Sequence, residues 1–65
     1  RMKRRDLEKH LRQHACELHH HGARHDYWIN TRTGNRAPVM RHTEIKKRTA
    51  LAVCKQLGVP RPDRL

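Results

Sequence analysis

The sequence has no long hydrophobic run and only two cysteines. No apolar stretch among its 65 residues approaches the roughly 20 that a membrane-spanning helix needs. None near the N-terminus matches the apolar segment of about 7–15 residues in a secretory signal. Cys16 and Cys54 are too few for a disulfide framework, and we interpret both as small core residues. These absences favour a cytoplasmic protein and argue against a membrane partner.

Acidic residues are also scarce. Six Asp and Glu stand against sixteen Lys and Arg, so the formal net charge is +10 with histidine neutral. This excess predicts attraction to nucleic acid or to an acidic partner. Without an internal repeat, low-complexity segment or linker, we expect one small domain over residues 1–65, only marginally stable alone. Arg1 precedes Met2, the expected natural start, and is given no functional role.

Hydrophobic spacing predicts an α+β domain with the order α-β-β-β-α. Leu7, Leu11 and Ala15 recur at four-residue spacing in the first helix. The last helix has apolar residues at i, i+3, i+4 and i+7, beginning at Ala50. The expected elements are a helix over 3–15, strands over 16–21, 24–30 and 36–40, a helix between an N-cap at Thr49 and a stop at Gly58, and a loose tail over 59–65.

One arrangement buries both apolar helix stripes in a single core. It is a three-stranded antiparallel sheet with both helices on one face. Pro38 cannot donate to a ladder, so the last strand is expected at an edge of the sheet. The face without helices is then open, and in so small a domain it is the natural place for a site.

The basic run Lys46-Lys47-Arg48 is a candidate anion site. We expect it to precede the last helix, where free amide groups and basic side chains favour a phosphate. The alternative is that these long side chains simply extend into solvent.

The consecutive histidines 19–21 do not form a recognisable metal site. On a regular strand at most His19 and His21 point the same way. Cys16 and His19 have the spacing of half a zinc site, but no second half stands out. We therefore predict no metal here.

His25 opens the strand with the strongest β propensity. Trp28 is the large apolar anchor of this strand, so we place its face toward the helices. Strict alternation then puts His25 and Tyr27 on the open face. From the residues alone, a half-exposed histidine without a task is the better explanation of this position.

Three segments and their order resemble the HicA family of bacterial toxins: MKRRDLEKHLR, GARHDYWIN and APVMRHTEIKKRTALAVCKQLGVP. The resemblance implies a fold similar to double-stranded-RNA-binding domains. It also implies a ribosome-independent mRNA interferase paired with a HicB antitoxin. The family's catalytic histidine lies in a Gly-x-His segment, which corresponds to His25. Here Ala23 replaces that glycine, a strained choice if the position needs positive φ.

The resemblance implies a toxin that cleaves mRNA as an endoribonuclease, by metal-independent acid–base chemistry at His25 and without a cofactor. The other candidate RNA-binding residues, for phosphate contact or as partners of His25, are Lys46, Lys47, Arg48, His42, Tyr27 and Arg24. A HicB-like acidic antitoxin is expected to cover the open face. Three alternatives remain: a non-catalytic RNA-binding module of the same fold, a small DNA-binding or ribosome-associated protein, and a histidine-rich metal-binding protein.

Overall fold

Residues 1–63, the part of the chain that the computed structural model describes, form two helices and five short strands. In chain order these are β1 (Met2–Lys3), α1 (Arg4–Gln13), β2 (Cys16–His21), β3 (His25–Asn30), β4 (Arg36–Met40), β5 (Glu44–Ile45) and α2 (Lys47–Leu57). Strands β2, β3 and β4 form an antiparallel sheet in that order. The predicted α+β class and three-stranded sheet are confirmed, and the fold is consistent with a double-stranded-RNA-binding-like domain.

Both helices pack on one face of this sheet and enclose the core. The helices supply Leu7, Leu11, Ala50, Val53, Cys54 and Leu57, and the three-stranded sheet supplies Cys16, Trp28, Ala37 and Val39. Both cysteines are free thiols, and burial raises the pKa of each above its usual value. They act as small core residues, as the sequence predicts.

A second, two-stranded sheet joins the two ends of the fold. Strand β1 pairs antiparallel with β5, with Met2 opposite Ile45 and Lys3 opposite Glu44. Met2 and Ile45 are both buried in the core. This pairing could not be predicted from the sequence, because two-residue strands have no measurable periodicity. The pairing places the start of α1 and the start of α2 at the same edge of the domain.

Helix α2 begins three residues earlier than predicted. Lys46 is its N-cap residue, and the amide of Ala50 donates to the Lys46 carbonyl at 2.9 Å, closing the first turn. The predicted N-cap at Thr49 is therefore wrong, because the chain enters the helix directly after Ile45 is anchored in β5. The predicted stop is confirmed: Gly58 has φ 74° and its amide bonds back to the carbonyls of Cys54 and Lys55.

The segment after α2 packs against the domain over residues 59–62, where the sequence suggested a loose tail. Val59 packs on the core and Pro62 is buried. The His10 ring donates from Nε2 to the Pro60 carbonyl at 2.7 Å, which ties this segment to α1. The last two residues of the expected tail, 64 and 65, lie outside the described residues.

Helix α1 ends at Gln13 instead of continuing to residue 15, because Ala15 adopts a left-handed φ of 64°. An L-residue in this region costs about 1–2 kcal/mol, whereas glycine adopts it freely. We expect Ala15→Gly to raise the free energy of unfolding by up to about 1 kcal/mol, after glycine's greater unfolded-state entropy is subtracted. Urea denaturation followed by far-UV circular dichroism measures this change.

The matched control is Ala52→Gly, at an exposed position inside α2. This change should destabilise the domain by about 1 kcal/mol, the usual cost of glycine within a helix. An equal loss in both variants would contradict the role assigned to the left-handed conformation of Ala15.

Candidate active site

The open sheet face is the side of β2, β3 and β4 that the helices do not cover. Along β3, Trp28 is 2% exposed and points into the core, whereas His25 and Tyr27 are half-buried. Their partners on β4 are Met40 opposite His25 and Pro38 opposite Tyr27, both exposed. The alternation around Trp28 therefore places His25 and Tyr27 together on the open sheet face.

A β-bulge in β2 decides which histidine joins them. Leu18 pairs with Trp28 but His20 pairs with Tyr27, so His19 is an additional residue in this strand. Without the bulge, His20 would share the helix-covered side with Leu18. With it, the His20 ring stacks on the Tyr27 ring, with centroids 4.7 Å apart and planes inclined by 11°. The regular alternation predicted for residues 16–21 is therefore wrong beyond Leu18.

The turn between β2 and β3 places His25 beside this aromatic pair. The Gly22 amide donates to the His25 carbonyl at 2.8 Å. A Cβ at Gly22 would lie 2.6 Å from a Tyr27 ring carbon and 2.9 Å from the His25 carbonyl oxygen. Gly22 is thus required by close packing, not by its φ. Ala23 has a negative φ, so the alanine before His25 carries no left-handed strain.

An ionic cluster that was not predicted from the sequence lies on the other side of this turn. Asp26 Oδ1 accepts from His21 Nδ1 at 2.7 Å and from Arg41 Nε at 2.8 Å. The hydrogen bond from His21, and then the hydrogen bond and charge of Arg41, lower the pKa of Asp26 below its usual value against the effect of burial. The carboxylate is ionised at neutral pH, and its stabilising effect is lost only as the pH falls through that lowered pKa.

A cavity of about 330 Å³ adjoins the His25 end of the sheet. It is lined by Met40, His42, Glu44, Ile45, Lys46 and Thr49. Met40 lines this cavity and is also the cross-strand partner of His25. The cavity and His25 are therefore separated by the Met40 side chain alone. The cavity lining combines the imidazole of His42 and the amine of Lys46 with the carboxylate of Glu44, so it offers both a cation for a phosphate group and groups for proton transfer.

A family model described as "HicA toxin of bacterial toxin-antitoxin" matches residues 4–59. The chain belongs to the HicA toxin family. It is accordingly a toxin of a bacterial toxin–antitoxin system, and this implies an antitoxin partner. Comparison with curated proteins gives no match, and neither does comparison with solved structures.

In this HicA-family toxin the predicted site residues fall into separate groups. His42 and Lys46 line the cavity beside Met40, whereas Lys47 and Arg48 are exposed in the first turn of α2 and do not line it. They lie within the helix and not before it, which corrects the predicted position of the basic run. Arg24 is exposed in the turn before His25.

Two further observations concern metal binding and membrane insertion. Among residues 1–63, no group of three or more His, Cys, Asp or Glu side chains is arranged to hold a metal ion. Within the same residues, neither helix has the length and apolar character needed to cross a membrane.

Proposed function

We propose that this HicA-family toxin is an endoribonuclease that cleaves mRNA by metal-independent acid–base chemistry, with His25 as its catalytic residue. The observation that carries the proposal is the position of His25. It lies half-buried on the open sheet face, next to a cavity that contains His42 and Lys46. An RNA strand can reach this face because no helix covers it.

RNA supplies its own nucleophile, the 2′-hydroxyl group. In the proposed step a base removes the 2′ proton, the 2′ oxygen bonds to phosphorus, and the bond from phosphorus to the 5′ oxygen breaks. An acid protonates that leaving oxygen, and the products are a 2′,3′-cyclic phosphate and a 5′-hydroxyl. His25 takes one of the two proton-transfer roles and His42 is the candidate for the other. Lys46 stabilises the negative charge on the phosphate oxygens.

Two basic runs support RNA binding beside this site. Lys3, Arg4 and Arg5 line a second cavity, of about 210 Å³, together with Thr43. The pairing of β1 with β5 places this run at the same edge as the basic start of α2. Basic side chains grouped at one edge attract the phosphate backbone irrespective of base sequence.

The charge and the site also support the proposed partners. A HicB-like acidic antitoxin covering the open sheet face would occlude His25, and opposite charge would accelerate its capture. Because mRNA is the proposed substrate, we place the toxin's action in the cytoplasm.

The decisive experiment is incubation of purified toxin with an mRNA transcript, with and without EDTA. We expect cleavage in both conditions and fragments that end in a 2′,3′-cyclic phosphate, identified by mass spectrometry. RNA that is bound but stays intact would contradict the proposal and favour the second candidate, a non-catalytic RNA-binding module. The exposed basic surface is the observation that this alternative explains equally well.

The basic start of α2 provides a quantitative test of RNA binding. Replacing Lys46 and Lys47 with glutamine should reduce the slope of log affinity against log salt concentration by up to about two units, since each phosphate contact contributes about 0.7–0.9. Fluorescence anisotropy with labelled RNA over a salt series measures the slope. Lys55→Gln is the control, because Lys55 is also exposed but lies in the last turn of α2. If only total charge mattered, the single Lys55 change would reduce the slope by half as much as the double variant does.

A further inference from the structure

Arg41 connects the end of β4 to the turn that precedes His25. Its Nε donates to the Asp26 carboxylate at 2.8 Å. Its two terminal nitrogens donate to the carbonyl oxygens of Gly22, at 2.5 Å, and Ala23, at 3.3 Å. One guanidinium group therefore holds two successive carbonyls of the turn and the side chain that follows His25 in the sequence.

Asp26 is the second half of this connection. Its side chain is 13% exposed, and besides Arg41 it accepts a hydrogen bond from His21 at the end of β2. Three strand ends thus meet at one carboxylate: the last residue of β2, the second residue of β3, and the residue just after β4. We name His21, Asp26 and Arg41 the turn clamp.

We infer that Arg41 and Asp26 are positioning residues, which hold the backbone of residues 22–25 so that His25 stands correctly on the open sheet face. This inference rests on the proposed catalytic role of His25. Residues 22–25 make one turn-closing backbone hydrogen bond, from Gly22 to His25, so the clamp supplies most of the other polar contacts of this turn. A displacement of about 1 Å at a reacting group reduces rates by roughly 100-fold, which is the effect that the clamp prevents.

The alternative role for Arg41 is direct contact with RNA phosphate. The geometry favours the clamp, because Nε and both terminal nitrogens already donate to protein oxygens. The planar fork of a guanidinium can serve a carboxylate and two carbonyls together, whereas the single ammonium of lysine cannot. Arg41→Lys therefore separates the two roles, since it retains the charge and removes the fork.

The experiment compares Arg41→Lys with the unchanged toxin in RNA cleavage, RNA binding and amide hydrogen exchange. We expect kcat to fall about 10- to 100-fold, with KM and the salt dependence of binding nearly unchanged. Exchange of the Gly22 amide should accelerate, because the carbonyls around it are no longer held. The control is Arg36→Lys, at an exposed arginine at the other end of β4, which should alter none of these quantities.

A double-mutant comparison with Asp26→Asn completes the test. If the two residues form one clamp, the combined variant should lose little more activity than Arg41→Lys alone.

The inference is overturned if Arg41→Lys leaves both kcat and Gly22 exchange unchanged, or if it changes only KM and the salt slope. The exchange measurement needs no catalytic activity. It therefore decides the clamp even if His25→Ala proves active and the proposed function fails.

Discussion

Replacing His25 with alanine is expected to lower the rate of mRNA cleavage by at least about 100-fold, because one positioned acid–base group contributes roughly 10²–10⁴-fold. Growth arrest on expression in bacteria should disappear with it. RNA affinity should change little, since the proposed phosphate contacts come from the basic residues at the helix starts and not from His25. Single-turnover cleavage of a defined transcript and fluorescence anisotropy measure the two effects separately.

His19→Ala is the matched control for this experiment. His19 is the bulge residue of β2 and is exposed, so its loss also removes one imidazole from the sheet region. We expect the His19 variant to cleave RNA at the rate of the unchanged toxin. Full activity of His25→Ala would contradict the proposed catalytic role of His25. Equal losses of activity in both variants would show that the effect is not specific to His25.

The second large effect is expected from Trp28→Ala, which should remove a large part of the stability of the domain. Trp28 is 2% exposed and is the largest side chain in the core. Its removal costs about 3–5 kcal/mol. The total stability of a domain this small is about 0.05–0.15 kcal/mol per residue, or about 3–10 kcal/mol for 65 residues. Far-UV circular dichroism over a thermal ramp measures the loss of cooperative unfolding.

Trp28→Phe is the informative control, because it separates packing from hydrogen bonding. The indole Nε1 is buried and has no hydrogen-bond partner among residues 1–63. The change to phenylalanine therefore removes no hydrogen bond. The Arg12 guanidinium carbon lies 5.1 Å from the indole centroid, and a phenyl ring retains part of that cation–π attraction. We expect this variant to fold and cleave RNA with a modestly lower melting temperature. A cooperative transition at the original temperature in Trp28→Ala would refute the anchoring role of Trp28.

Most of the central fold could be predicted from residue spacing. The strands over 16–21 and 36–40 have the predicted limits, and β3 begins one residue later than predicted, at His25. Apolar positions at helical spacing identified both helices, because each must bury one face. The helix limits were less well predicted, since they depend on contacts outside the helix. Ile45 in β5 sets the start of α2, and the left-handed Ala15 ends α1.

The candidate site could be predicted only in part. Alternation around Trp28 placed His25 and Tyr27 on the open sheet face, but the resemblance to HicA toxins alone distinguished His25 from six other histidines. The turn clamp has no sequence signal of its own. Arg41 and Asp26 are 15 residues apart, and they meet only because β3 and β4 pair in the observed register.

The sequence by itself determined the charge, the α-β-β-β-α core and the side of β3 that carries His25. These properties follow from composition and from local hydrophobic periodicity, and neither of these depends on how the chain folds. Only the tertiary structure decided that His20 stacks on Tyr27, that the basic starts of both helices share one edge, and that Arg41 holds the turn before His25. Each depends on which strands pair and in which register, and one additional residue in β2 is enough to exchange the two faces of that strand.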